Sequence, residues 1–281
     1  MCLFLYSISS STQPTPTSGP EHLPNYHEWM QDPFLLDATA SEPLTMEQEI
    51  EMQKEWRDDE KKCTFIILAR DLISDKVVNI PPIPTVVHAE EERGDKEQES
   101  YENLIEETLD AMIGDINLFL SEEEDDYNSD DEENFHKQQK QLLHPEQCTP
   151  AEDLTQAELD IMIAAKSHRH KNLGVELALM MMHYGASSLN LKRYYVKIKD
   201  TNHSSIKLFK EKLGFQECAY VECFGEYEFE CRCENSEEMV KLIEEKWLSL
   251  VENTQFSSGV DETTSSKNCR IYDIYNCPVT D

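Results

Sequence analysis

The sequence predicts a mixed α/β fold, and three stretches carry this prediction. Residues 63–68, CTFIIL, form a short apolar run that is typical of a strand buried on both faces. Residues 158–164 alternate apolar and polar side chains, as a half-buried strand does. Residues 174–189 are apolar around nearly the whole circumference of a helix, which implies burial. We therefore expect a sheet with helices packed against it.

Length and composition limit the number of domains and the classes of partner. With 281 residues, of which 39% are hydrophobic, the chain is long enough for one domain with insertions. Its 57 acidic and 25 basic residues give a formal net charge of −32. Nucleic acids and anionic membrane surfaces are themselves negative, so we expect neither as a partner.

Cysteine spacing and the first residues bear on metal binding and location. The nine cysteines include no CxxC pair, so we expect reduced thiols and no metal site. The apolar patch at residues 2–6 has no basic residues before it and is too short for a secretory signal. No run approaches the roughly 20 apolar residues of a membrane span. We expect a soluble protein of the cytoplasm, with the nucleus as an alternative.

Changes in composition divide the chain. We expect residues 1–20, which contain a Ser-, Thr- and Pro-rich stretch, to be a flexible leader. Residues 21–250 are predicted to form the domain, and 251–281 a disordered tail. Two segments inside the domain, at about 73–108 and 121–150, lack the periodicity of core elements. Their prolines and dense acidic runs predict acidic, disordered insertions.

The N-terminal half of the domain contains two predicted helices and a second strand. Residues 22–30, HLPNYHEWM, have aromatic residues and a methionine at helical spacing. Thr45 with Gln48 three residues later predicts a capping box that opens the next helix. Residues 111–120 have strand character, and Gly114 within them predicts a bulge or bend.

The sequence of the C-terminal half of the domain predicts a strand, a helix, a second strand and a final helix. The strands are residues 193–199 and 227–233, and the stretch 204–215 between them is a helix that Gly214 stops. Asn235 with Glu238 predicts the cap of a final amphipathic helix through about residue 250.

A basic loop, KSHRHK at residues 166–171, joins the strand at 158–164 to the buried helix. The first backbone N–H groups of a helix lack partners and carry the positive end of the helix dipole, so this junction suits an anion. The basic side chains of the loop would offset the negative charge of the protein near a phosphate. The alternative is an ordinary basic surface turn.

Two motifs give this loop a more specific meaning. Residues 169–174, RHKNLG, resemble the Arg/Gln-x-x-Gly-x-Gly/Ala motif of the GCN5-related N-acetyltransferases. Residues 202–209, NHSSIKLF, followed by Gly214 and Phe215, resemble the later Asn-x-x-Ala-Ile-x-Leu-Tyr and Gly-Phe motif of that family. NYHEWM at 25–30, with similar stretches further along the chain, resembles the N-acetyltransferase nine family, whose members are linked to N-terminal acetylation of α- and β-tubulin.

The resemblance implies a splayed mixed sheet flanked by helices, with acetyl-CoA as co-substrate. The sheet opens between the strands at 158–164 and 193–199, and the pantetheine arm pairs with backbone groups of the first strand. The cofactor-binding residues implied in this way are Met162, Ile163, Ala164, Arg169, His170, Lys171, Asn172, Leu173, Gly174, Asn202, Ser205 and Phe209.

Glu158 and Asp160 are candidate acceptors for the proton of the attacking amine. Both lie on one face of the strand that precedes the loop. An α-amino group has a reference pKa of about 7.7–8.0, so a modest acceptor or a water chain suffices. The alternative is that both carboxylates point outward to solvent.

The sequence departs from the family pattern at three places. Asn172 and His170 stand where glycines are usual, and their side chains crowd the approach of a pyrophosphate to the backbone. Phe209 replaces a tyrosine that protonates the leaving thiolate, so solvent takes that step or the step is impaired. No apolar strand directly precedes residues 22–30; either residues 2–6 supply it or one sheet edge is unpaired.

Together these features predict an acetyl-CoA-dependent protein N-acetyltransferase that acts on an α-amino group. By resemblance, the substrate is the N-terminus of α/β-tubulin and the role is in microtubule stability. Tubulin is itself acidic, so long-range repulsion does not favour the encounter. The alternative is a weak or inactive relative, an interaction module whose acidic insertion binds a basic partner.

Overall fold

The computed structural model describes residues 3–7, 22–73, 106–122 and 154–258. Seven strands in these residues form one sheet. They are β1 (Leu3–Ser7), β2 (Lys62–Ala69), β3 (Met112–Ser121), β4 (Gln156–Ile163), β5 (Arg193–Lys199), β6 (Gln216–Val221) and β7 (Glu226–Arg232). The helices are α1 (Leu23–Trp29), α2 (Pro33–Ala38), α3 (Met46–Asp58), α4 (Leu173–Ser188), α5 (His203–Ile206) and α6 (Ser236–Ser258). Short helical turns lie at Arg70–Leu72, 106–111 and Lys166–His168, and α5 continues as a π-helix over Lys207–Lys212.

The sheet is mixed, as predicted. Its strand order is β1-β2-β3-β4-β5-β7-β6. Neighbouring strands run antiparallel except β4 and β5, which run parallel. The parallel pair is joined through α4, which starts directly after the basic loop. The predicted strand–loop–helix order is therefore confirmed.

The main hydrophobic core lies on one face of the sheet, under α4 and α6. The three methionines at 180–182 of α4 are buried in it, as the apolar circumference of this helix predicts. Met239, Ile243 and Trp247 of α6 recur every four residues and so lie on one side of that helix, against the same core.

The opposite face of the sheet carries polar side chains under α1 and α3, and we call it the polar face. Cross-strand partners point to the same side of a sheet. Thr64 pairs with Asn117, and Asn117 pairs with Asp160, so all three side chains lie on the polar face. Asp115 lies beside them, two residues from Asn117 on β3. Polar groups are unusual at a sheet face covered by helices, because their burial is costly unless they are paired.

Gly114 allows β3 and β4 to approach each other closely. A side-chain carbon at Gly114 would lie 1.9 Å from the carbonyl oxygen of Met162. The register between β2 and β3 also shifts here and skips Ile113, which forms a bulge. The predicted bulge or bend at this glycine is therefore confirmed.

The N-terminal strand answers one question that the sequence left open. Residues 3–7 form β1, which pairs antiparallel with β2 from Leu3 with Ala69 to Ser7 with Phe65. The predicted leader over residues 1–20 is therefore corrected for residues 3–7, because β2 offers their backbone a hydrogen-bonding edge. Residues 8–21 lie outside the described residues.

Among the other predicted elements, the starts of α3 and α6 are confirmed, whereas the end of α6 and the strand β6 were not predicted. The Thr45 capping box is present, with both of its hydrogen bonds to Gln48. Asn235 also caps α6, but the helix runs to Ser258, eight residues into the predicted tail. β6 was not predicted, because all of its side chains are exposed and give no apolar alternation. Most of both predicted insertions lies outside the described residues.

No helix among the described residues has the length and apolar character needed to cross a membrane. The same residues contain no group of three or more His, Cys, Asp or Glu side chains placed to hold a metal ion.

Candidate active site

The opening in the sheet lies between β4 and β5. The two strands pair only at their first three positions, from Gln156 with Arg193 to Glu158 with Tyr195. β4 then continues to Ile163 and β5 to Lys199 without pairing to each other. The edge of β4 from residue 159 onward is therefore free to bond an extended ligand.

Arg169 fastens the basic loop to the end of β4. Its Nε donates to the carbonyl oxygen of Ile163 and its Nη2 to that of Ala164, each at 2.8 Å. The guanidinium also lies 4.8 Å from the centre of the Phe34 ring on α2. These contacts turn the guanidinium toward β4 and away from the loop amides. Arg169 therefore contributes to phosphate binding by holding the loop in shape, not by contacting the phosphate.

The loop backbone is left-handed at the two positions where the family motif has glycines. His170 has a φ of 60° and Asn172 a φ of 61°. Asparagine and histidine are the residues, after glycine, that adopt this conformation most readily, which explains how the turn persists. The N–H groups of residues 170–174 have no backbone hydrogen-bond partner in the part of the chain described. Such unpaired N–H groups before a helix form a concave anion site.

Lys212 supplies a positive charge at this site that sequence analysis missed. Its Nζ donates to Asn172 Oδ1 at 2.5 Å, which places the ammonium group at the start of α4. The sequence shows that Lys212 is basic but not that it lies near Asn172, because the two residues are 40 apart in sequence. Lys171 in the loop is exposed, whereas Lys166 forms an ion pair with Asp32 at 3.1 Å. Lys171 and Lys212 are therefore the lysines best placed to meet a phosphate.

The later motif lies against the loop but has a structural role. Asn202 caps α5 by accepting from the Ser205 N–H at 3.2 Å. Phe209 is buried and packs edge-on against Phe215, with ring centres 5.1 Å apart. The π-helical continuation of α5 packs against the start of α4 at Gly174. A side-chain carbon on Gly174 would lie only 2.9 Å from Leu208 Cδ2, so glycine allows this close approach.

The two candidate proton acceptors on β4 have different surroundings. Glu158 Oε2 accepts from Lys197 Nζ on β5 at 2.9 Å, so its charge is already paired. Asp160 is half-buried, and burial, followed by the charge of Glu158, raises its pKa. A carboxylate with a raised pKa is the better proton acceptor, which favours Asp160.

Asp115 and Asn117 stand behind Asp160, and sequence analysis missed both. Asn117 Nδ2 donates to Asp115 Oδ2 at 2.7 Å. Burial, followed by the charge of Asp160, raises the pKa of Asp115 to about 7. The available signal was two polar residues, spaced by two, within the otherwise apolar strand at 111–120.

The residues around the opening fit acetyl-CoA. The free N–H groups of 170–174 and the two lysines suit a pyrophosphate, and the open edge of β4 suits a pantetheine arm. Leu173 and Gly174 contribute N–H groups from the first turn of α4. Met162, Ile163 and Ala164 lie at the open end of β4, although Arg169 already binds the carbonyls of the last two.

Fold and site together define an acetyltransferase of the GNAT class. A family model described as acetyltransferase (GNAT) domain matches residues 16–216, and the chain belongs to this family. More particularly, the N-acetyltransferase 9-like protein of Nematostella vectensis is 36% identical over 73% of this chain and 75% of that protein. Human alpha/beta-tubulin-N-acetyltransferase 9 is 34% identical over 80% of this chain and 85% of that protein. The predicted family resemblance is confirmed: the protein is an N-acetyltransferase, and its acetyl donor is acetyl-CoA.

Among solved structures, spermidine N-acetyltransferase from Vibrio cholerae, in complex with CoA and spermine, is similar to the chain. It is 15% identical, with a TM-score of 0.49, and the match covers 83% of this chain and 97% of that one.

Proposed function

We propose that the protein transfers the acetyl group of acetyl-CoA to the α-amino group at a protein N-terminus. The observation that carries this proposal is Asp160, a half-buried carboxylate with a raised pKa beside the open edge of β4. An α-amine, with a reference pKa of about 7.7–8.0, loses its proton to such a group far more easily than a lysine of pKa about 10.4.

In this proposal the loop and β4 position the co-substrate, which when bound supplies the acetyl group as a thioester. The N–H groups of 170–174, with Lys171 and Lys212, hold the pyrophosphate. The free edge of β4 aligns the pantetheine arm, and a β4 N–H polarises the carbonyl oxygen as negative charge develops on it. Arg169 keeps loop and strand in register through the carbonyls of Ile163 and Ala164.

Asp160 accepts a proton from the amine nitrogen, and the neutral amine attacks the carbonyl carbon. CoA leaves as a thiolate, and the nitrogen, now bonded to the acetyl carbon, releases its second proton to solvent. The buried ring of Phe209 carries no acidic proton, so the thiolate is protonated by solvent at the mouth of the opening. Glu158 accepts a hydrogen bond from Lys197 and so ties β4, next to Asp160, to β5.

The names of the relatives suggest α/β-tubulin as the substrate. A relative named for this substrate matches over 80% of the chain. We therefore propose a tubulin N-terminus as the acceptor, a role in microtubule stability, and a cytoplasmic location, where that substrate assembles.

The test is acetylation of a peptide that has a free N-terminus and one internal lysine. The full chain is incubated with acetyl-CoA and peptide, and fragment masses locate the acetyl group. We expect acetylation of the α-amine and none of the lysine, with loss of product when the N-terminus is blocked. Acetylation confined to the lysine would reject the α-amine assignment.

A further inference from the structure

A cavity lies on the polar face between α1, α3, β2 and β3. Its volume is about 50 Å³, and its walls include apolar side chains and the polar groups of Tyr26, Glu49, Thr64 and Asp115. One water needs roughly 15 Å³ by this measure, so the cavity has room for about three waters.

Buried polar atoms without a protein partner line this cavity. Thr64 Oγ1, Asp115 Oδ1 and both carboxylate oxygens of Glu49 make no hydrogen bond within the described residues. Their side chains are almost fully enclosed, with Glu49 1%, Asp115 4% and Thr64 7% exposed. Buried polar groups in proteins are nearly always bonded to protein or ordered water, and the cavity beside these atoms has the room for such water.

Polar groups continue from the cavity in two directions. Toward the opening in the sheet, the Asn117 amide donates to Asp115 at 2.7 Å, and Asn117 is the cross-strand partner of Asp160. Toward the surface, Glu49 Oε2 lies at an ion-pair distance of 3.0 Å from His27 Nδ1 without forming a hydrogen bond to it, and the His27 side chain is 27% exposed. The series therefore joins the candidate proton acceptor to solvent.

The titratable groups of this series influence one another. The pKa of Asp115 is raised to about 7 by burial and then by Asp160. The charge of Asp160 favours the protonated form of Asp115, so below about pH 7 Asp115 is mostly protonated while Asp160 ionises. Burial, followed by the charges of Asp115, Asp160 and Glu49, raises the pKa of Tyr26, so its hydroxyl stays protonated. The charged and titratable groups around the pair are His22, Tyr26 and His27 at α1, Glu49 of α3, Glu158 of β4, and Lys197 of β5.

We propose that Asp115 is a positioning residue acting through Asp160, and that the cavity conducts the proton of the substrate amine to solvent. This inference rests on the proposed function. The ammonium N–H bond breaks, its electron pair stays on nitrogen, and the proton binds a carboxylate oxygen of Asp160. The proton then passes by Asp115 and cavity water to the Glu49–His27 pair and out. Acetylation of an ammonium group releases one proton per turnover, and this route restores the Asp160 carboxylate.

The test compares Asp115→Asn and Glu49→Gln in the full chain, with Glu51→Gln, an exposed acid on the same helix as Glu49, as the control. In Asp115→Asn we expect kcat to fall about threefold and its solvent deuterium isotope effect to change, because an amide cannot pass on the proton from Asp160. Glu49→Gln should lower kcat about threefold and change its solvent deuterium isotope effect, because proton exit slows. The KM for acetyl-CoA should stay at the wild-type value in all three.

Carbon-13 NMR of the aspartate carboxyls tests the pair without activity. We expect one carboxyl to titrate near pH 7 in the wild type and to be absent in Asp115→Asn. Wild-type kcat values and isotope effects in both folded variants would overturn the relay, as would the absence of any aspartate titrating above about pH 5.5. An inactive wild type with the pH 7 titration present would instead contradict the proposed function.

Discussion

Asp160 is the residue on which the proposed chemistry depends. Asp160→Asn keeps the size of the side chain but cannot accept a proton. We expect kcat to fall about 10²-fold at pH 7, with the KM for acetyl-CoA unchanged. Glu158→Gln, the matched control, should lose far less because Glu158 is already paired with Lys197. Steady-state kinetics check both, and a larger loss in Glu158→Gln would reverse the assignment.

Gly114 fixes the spacing of the two central strands. A methyl group there meets backbone, the Met162 carbonyl oxygen at 1.9 Å, so neither partner can move aside cheaply. We expect Gly114→Ala to lower the free energy of unfolding by about 3 kcal/mol. Gly174→Ala meets only the end of the Leu208 side chain and should cost about 1 kcal/mol or less. Denaturant unfolding measures both, and equal losses would contradict this account.

Single residues were predictable where the cause is local. The Thr45 capping box and the Gly114 bulge depend on neighbours in sequence and were predicted. The spacing of Asp115 and Asn117 places them on one face of a strand, but only tertiary packing shows that α1 and α3 cover that face. Their importance was therefore missed.

The basic loop and the start of α4 contain two left-handed residues, His170 and Asn172, and these two residues have different roles. Both His170 and Asn172 are left-handed, but only Asn172 holds the Lys212 ammonium. Its side chain, which the sequence presented as an obstacle to the pyrophosphate, thus brings in a positive charge.

A double-mutant cycle tests this pairing. We expect Asn172→Gly and Lys212→Ala each to weaken acetyl-CoA binding about threefold, since each removes the anchored charge. The double variant should be no weaker than either single variant, because both act through one ammonium group. Calorimetric titration gives the three affinities. Fully additive losses would mean that Asn172 and Lys212 act separately.

Elements were predictable to the extent that burial marks their sequence. β2, β3 and β5 carry apolar or alternating runs and were placed correctly. β6 is exposed along its length, and 14 residues outside the described ones lie between β1 and the start of the α1 region. The pairing of β1 with β2 is a long-range contact, which no local pattern specifies.

At the scale of the whole molecule, charge opposes acidic substrates. The net charge of −32 repels acidic substrates, and salt weakens this repulsion by screening it. For two peptides with the same first residues, we expect kcat/KM of the one with an acidic tail to rise between about 20 and 200 mM NaCl. The peptide with a neutral tail should change little. A fall with salt for the acidic peptide would instead indicate a local basic surface that binds it.

The central claim is that the loop at the opening of the sheet holds acetyl-CoA through its backbone N–H groups. Hydrogen exchange of the full chain, with and without saturating acetyl-CoA, measures those groups directly. We expect slower exchange in peptides covering residues 159–164 and 170–174, and unchanged exchange in β6, which lies at the far edge of the sheet. Unchanged exchange at 170–174 with acetyl-CoA bound would contradict the account.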